Sequence, residues 1–167
     1  IFVPWWVWIV AVVIISWRQT RRVYYSAALG VLLITIGVFG LWAVAMKTLA
    51  VVITSVIISI LIGIPIGIAM AESDGFCLVA TPLLDAMQTM PSFVYLIPAI
   101  FFFSVGNTPG VIATVIFSVP PAVRLTALGI KNVQKEVIEA GRAFGATENQ
   151  ILFKIELPLA MPTILTG

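Results

Sequence analysis

Histidine is missing altogether from these 167 residues, and Cys77 is the single cysteine. The two absences exclude a disulfide framework, a Cys/His zinc site, haem held on histidine and any triad that needs histidine. No G-x-x-x-x-G-K-[ST] occurs, so if ATP drives this protein a partner chain must hold the nucleotide. Charge is scarce as well: 10% of residues are Asp, Glu, Lys or Arg, nine basic against seven acidic, for a net +2. The bases are not gathered into one run, which excludes a nucleic-acid surface. The N-terminal residues show neither a basic leader region nor a small-residue cleavage site, so they do not read as a signal peptide. Both ends fall in apolar runs, and a fragment of a longer chain is expected.

What remains is apolar. Hydrophobic residues make up 61% of the chain, and mean hydropathy is +1.16. A soluble domain is roughly 45–50% apolar and about 25% charged. The fold class is therefore all-α and integral to a membrane. A helical span needs about 20 mostly apolar residues to cross a core roughly 30 Å thick. On that measure spans are expected at about 1–16, 23–45, 49–71, 91–105, 111–130 and from 159 onward, within a single transmembrane domain over 1–167. The Trp cluster near the start suits a membrane–water boundary. Three prolines, Pro82, Pro91 and Pro98, interrupt the stretch from Phe76 to Val105. There Pro82 to Met90 is expected as a short amphipathic surface helix, with Cys77 a buried apolar residue.

Five crossings place Arg18, Arg21, Arg22, Lys131, Lys135, Arg142 and Lys154 on one side, with Lys47 on the other. The positive-inside rule makes the first side cytoplasmic. That puts the polar segment EAGRAFGATENQILFKIELP, Glu139 to Pro158, in the cytoplasm. Val133, Val137, Ala140 and Phe144 recur at helical spacing, and Gly145 is a natural stop. Thr147 to Gln150 fits a capping box. Ile151, Leu152 and Ile155 form a second apolar face, and Pro158 is expected to close that helix. Lys131, Lys135, Arg142 and Lys154 balance Glu136, Glu139, Glu148 and Glu156. Such neutrality argues against a lipid-surface anchor. It suits docking on a protein, or packing on the chain's own spans.

Glu139-Ala140, Gly145 and Ile155-x-Leu157-Pro158 stand at the spacing E-A-A-x3-G-x9-I-x-L-P, with Gly141 in place of the second alanine. This resembles the EAA loop of ABC-importer permeases. PLLDAMQTMPSFVYLIP, GNTPG, FSVPPAVRLTALGI and FKIELPLAMPTI are similar to the glycine betaine/proline betaine family of osmoprotectant permeases. The likeness covers nearly everything from about Leu41 onward. It implies a multi-pass, type I (MetI-like) permease in the bacterial inner membrane. Glu139, Ala140, Gly141, Gly145, Ile155, Leu157 and Pro158 would then form a coupling helix–turn–helix against a cytoplasmic ATPase dimer. It also implies a second permease copy and an external binding protein, separate or fused. No cofactor is expected in this chain, ATP and Mg being held by the ATPase. Choline, carnitine or an amino acid remain alternative cargoes, and an ion-coupled transporter is a rival class.

Asp85, Pro91, Tyr95, Pro120, Pro121 and Arg124 are candidates for a pathway or gate. Asp85 is expected near the cytoplasmic boundary, in a structural role such as pairing with Arg124. Arg124 has two further options: carbonyls freed by Pro120 and Pro121, or the interface itself. Gly63, Pro65 and Gly67 suit close helix packing, and also a hinge. Phe93, Tyr95, Phe101, Phe102 and Phe103 are candidates for a cation–π contact with a quaternary ammonium.

Overall fold

The computed structural model describes residues 4–166. Residues 1–3, where the first expected span begins, and residue 167 lie outside the described part. Among the described residues nine α-helices follow one another: α1 Trp5–Thr20, α2 Val23–Val38, α3 Trp42–Glu72, α4 Asp74–Thr89, α5 Ser92–Phe103, α6 Asn107–Lys131, α7 Lys135–Ala143, α8 Glu148–Ile151 and α9 Leu157–Ile164. A π-helical turn, Leu152–Glu156, joins the last two. No strand occurs among the described residues. Without water in the bilayer core, backbone groups must be satisfied inside each segment, and helices do that. The chain divides into two compact units, Ile1–Ala50 and Val51–Gly167.

In the first unit α1 and α2 form an antiparallel hairpin. Ser26 bonds Ser16 across it, and Trp5 lies against Gly37. α2 stops at Val38, not near Ala45 as hydropathy suggests. Gly40 takes a left-handed φ of 69°, its N–H donates to the Gly37 carbonyl, and the Leu41 N–H donates to Ile36. This is a Schellman stop. Hydropathy stays high through it, so composition alone does not mark the break. Lys47 therefore sits inside α3, which runs 31 residues.

In the second unit α6 is the element around which the others pack. α3 meets it along a small-residue stripe at four-residue spacing: Ser55, Ser59, Gly63 and Gly67. Ser59 and Ser118 share a hydrogen bond of 2.6 Å. A Cβ on Gly63 would lie 2.7 Å from that of Ala122, and one on Gly67 would lie 2.7 Å from the Val123 carbonyl oxygen. Of the two readings for these glycines, close packing is what the structure shows. Pro65 sits within α3 without ending it.

α4 packs Ala80 and Leu84 onto Val119, Val123 and Ala127 of α6. The expected surface helix from Pro82 is in fact the second half of this 16-residue helix. Its start is fixed by Ser73, whose hydroxyl accepts the Phe76 N–H. Pro82 is carried in mid-helix because neighbouring elements already hold α4 on both sides of it.

α3 and α6 are long and apolar enough to cross a membrane alone; α4 and α5 pass together, bent by 86°. The sixteen residues of α1 and of α2 rise about 24 Å each, short of the roughly 30 Å core.

Gly67→Ala is expected to force α3 and α6 apart, because the Val123 backbone cannot yield, and to cost about 1–3 kcal/mol. Gly75→Ala, whose added methyl meets only Ser73 Oγ at 4.0 Å, serves as the tolerated control. Thermal unfolding in detergent measures both.

Candidate functional site

Two places depart from regular helix: the bend between α4 and α5, and the hairpin from Asn132 to Pro158. At the bend, Pro91 has no N–H to give to the Met87 carbonyl four residues back. Tyr95 replaces that donor, its hydroxyl reaching Met87 O at 3.0 Å. The bend is thus fastened by one side chain from the far limb. Pro91 itself, at φ −57° and ψ 141°, precedes the first turn of α5.

Asp85, one turn and a half before the bend, pairs with Arg124 at 2.5 Å. Of the three options for Arg124, pairing is what the structure shows. Asp74 meets Lys131 at 3.5 Å, so α4 and α6 run antiparallel with acids on one and bases on the other. Asp85 lies about 16 Å along α4 from Asp74, and Arg124 about 10 Å along α6 from Lys131, at 1.5 Å per residue. The pair therefore lies part-way along both helices, inward of the Asp74–Lys131 pair. The longer α4 accounts for this, because it starts at Asp74 rather than Pro82.

Pro120 is fully buried. Pro120 and Pro121 lie one turn before Arg124, within an unbroken α6. Phe93 and Phe117 line a cavity of about 310 Å³ between α5 and α6, with Ser92 and Thr114. Tyr95 is engaged at the bend. Phe101 and Phe102, at 86% and 83% exposure, lie at the opposite end of α5, so the five aromatics do not converge.

The hairpin is built from standard parts. Gly145 takes φ 81°, its N–H donates to Arg142 O, and Ala146 N–H donates to Gly141 O, a second Schellman turn. Thr147 Oγ1 accepts the Gln150 N–H, and the Gln150 side chain accepts the Thr147 N–H. The capping box therefore forms as the sequence predicts. Arg142 grips Glu148 with two bonds of 3.0 Å, across the turn. That hydrogen bond is the main cause holding the Glu148 carboxyl below its usual range and the Arg142 guanidinium above its own. Glu156 moves the other way, raised first by burial and then by the charge of Glu72.

Glu139, Ala140 and Gly141 sit on α7, Gly145 in the turn, Ile155 in the π-turn, and Leu157 and Pro158 at the start of α9. The two ends of the motif meet, because a Cβ on Gly141 would lie 2.7 Å from Ile155 Cδ1. Ile151 and Leu152 are buried, as the second apolar face requires. Of the first apolar face, Val133 is buried, while Val137, Ala140 and Phe144 are exposed.

Pro158 does not close the helix. Leu157 N–H bonds Leu152 O, five residues back, and this widened turn gives the Pro158 ring room over the preceding backbone. α8, the π-turn and α9 consequently run on as one helical rod. No spacing rule in the sequence signals a π-turn.

The described residues hold no cluster of His, Cys, Asp and Glu that fits a metal ion. The family of binding-protein-dependent transport system inner membrane components matches residues 63–167. The chain belongs to that family. It is 50% identical over 159 residues to the glycine betaine/proline betaine transport system permease protein ProW of Escherichia coli K12, covering 95% of this chain and 45% of ProW. It is 51% identical over 151 residues to the glycine betaine transport system permease protein OpuAB of Bacillus subtilis 168, covering 90% and 53%. The chain thus spans about half the length of these relatives. Its fold is similar to a chain of the MetNI methionine ABC transporter in inward-facing form, with TM-score 0.65 and 23% identity over 72% of this chain and 62% of that one. The membership bears out the inner-membrane, MetI-like permease fold.

Tyr95→Phe is expected to leave the Met87 carbonyl unpaired and to lower stability by about 1–3 kcal/mol, with faster hydrogen exchange confined to the bend. Gly141→Ala is expected to change stability by less than about 1 kcal/mol, since better helix propensity offsets a swing of the Ile155 end methyl. Thermal unfolding and the Ile155 methyl resonance check it.

Proposed function

We propose that this chain is the membrane-spanning part of the permease subunit of an ATP-driven importer for glycine betaine and related osmolytes. The observation that carries the reading is identity near 50% to two glycine betaine permeases over nine-tenths or more of the chain. The family description adds dependence on a binding protein. The chain itself catalyses no bond chemistry and holds no cofactor. A cytoplasmic ATPase dimer supplies ATP and Mg, a second permease copy completes the pathway, and an external binding protein, separate or fused, delivers solute.

The hairpin is the part that meets the ATPase. Glu139, Ala140, Gly141 and Gly145 form its outer limb and turn, while Ile155, Leu157 and Pro158 root it in α9. An exposed Phe144 on a polar hairpin supports this, because a large apolar side chain at a protein contact is desolvated on docking. Since the second limb continues into α9 without a stop, a push on the turn passes along one rod into the spans. Asp85, Pro91, Tyr95, Pro120, Pro121 and Arg124 belong to the moving pathway, where broken helices line solute sites.

Phe144→Ala or Glu139→Lys in the full permease, reconstituted with its ATPase and binding protein, is expected to cut betaine-stimulated ATP hydrolysis and uptake together by about tenfold, with the spans intact. Gly145→Val is expected to act similarly by straining a left-handed backbone position. Unchanged uptake in all three variants refutes the coupling role. Uptake that persists without the ATPase subunit instead supports the ion-coupled rival.

A further inference from the structure

The Asp85–Arg124 pair is incompletely used for a structural ion pair. Arg124 spends one Nη on one oxygen of Asp85, and its Nε is buried without a partner. An arginine whose task is to hold a carboxylate in place commonly grips it with two parallel bonds, as Arg142 does with Glu148. Leaving a buried donor unpaired is unfavourable, and the structure keeps one here. Nor is the pair sealed: the Asp85 side chain is 57% exposed and that of Arg124 37%. The two charges stand on adjacent helices, two turns inside the end of α6 marked by Lys131, and beside a span broken at Met90–Pro91.

We infer that this pair is a transient site for a zwitterionic solute, whose carboxylate takes the two Nη groups of Arg124 while its cationic nitrogen faces Asp85. The inference rests on the proposed function and names the residues that would touch the cargo. A zwitterion exchanged into an ion pair leaves the net charge at the site unchanged. No uncompensated charge is then created at the site. Bidentate geometry suits a carboxylate. A quaternary ammonium donates no hydrogen bond, so an open and partly hydrated aspartate can face it without a fixed partner. When the solute leaves, Arg124 and Asp85 close on each other again. The resting state thus avoids two unpaired charges, and the contact remains weak enough to release cargo. The pair is a selectivity element by sign: it accepts carboxylate and cation together, and a cation alone poorly.

The test uses the full permease reconstituted with its ATPase and binding protein, measuring glycine betaine uptake and ATP hydrolysis side by side. The double variant D85R/R124D keeps an ion pair between α4 and α6 but reverses its direction. It is expected to assemble and retain betaine-stimulated hydrolysis within about twofold, while uptake falls by about tenfold or more. Asp85→Asn, which still accepts a bond from Arg124, is expected to show the same split. Uptake within twofold of wild type in either variant overturns the inference and leaves the pair a strap between helices. Failure of both variants to assemble also overturns it, by assigning the pair to the fold. A wild-type complex that moves no betaine refutes the proposed function itself, a result distinct from either of these.

Discussion

The approach of α3 to α6 is the contact on which the second unit depends. In a bilayer, lipid tails are as apolar as leucine, so burying more leucine does little to join two helices. Close backbone approach does it instead, and Gly63 and Gly67 allow it against Ala122, Val123 and Thr126. The same four-residue stripe puts Ser59 against Ser118, adding a bond in a region where bonds to water are few. Once α6 is fixed in this way, its other sides carry α4, α5 and α9. The bent span and the rod from the hairpin are both referred to one helix.

The prolines show how a backbone is kept satisfied where water is scarce. Pro91 removes a donor, and Tyr95 restores one from the next helix. Pro158 removes another, and a π-turn widens the backbone to admit its ring. Both repairs lie at breaks in regular α-helix. A side-chain bond is easier to break and reform than a backbone ladder, and a π-turn is a looser turn than an α-turn. Pro65 and Pro82, by contrast, are absorbed within helices held along their length.

Charge is distributed with the same economy. Two of the three ion pairs found among the described residues join α4 to α6, and the third closes the hairpin turn. The exposed Arg142–Glu148 pair contributes little to overall stability. Its role is geometric, since it holds the two limbs at the angle that the Schellman turn and capping box define. The Asp85–Arg124 pair is only half satisfied, with one bond and an unpaired Nε, where the hairpin pair is fully engaged.

Much of this protein is legible without coordinates. Composition alone requires a helical membrane protein, because 61% apolar residues with 10% charge leave no soluble alternative. The cap chemistry of the hairpin is local, involving residues three or four apart, so Gly145, Thr147 and Gln150 could be assigned from their order. The EAA spacing likewise points to the family, since it needs only six matching positions within twenty residues. Three features needed the tertiary structure. The end of α2 at Gly40 is hidden by uniform hydropathy. The continuation of α4 through Pro82 and of the hairpin through Pro158 depends on neighbours that hold a helix together against its own propensity. The pairing of Asp85 with Arg124, 39 residues apart, follows from α4 lying antiparallel to α6. Local order sets what each segment prefers; only the packing of one helix against another decides which charges meet.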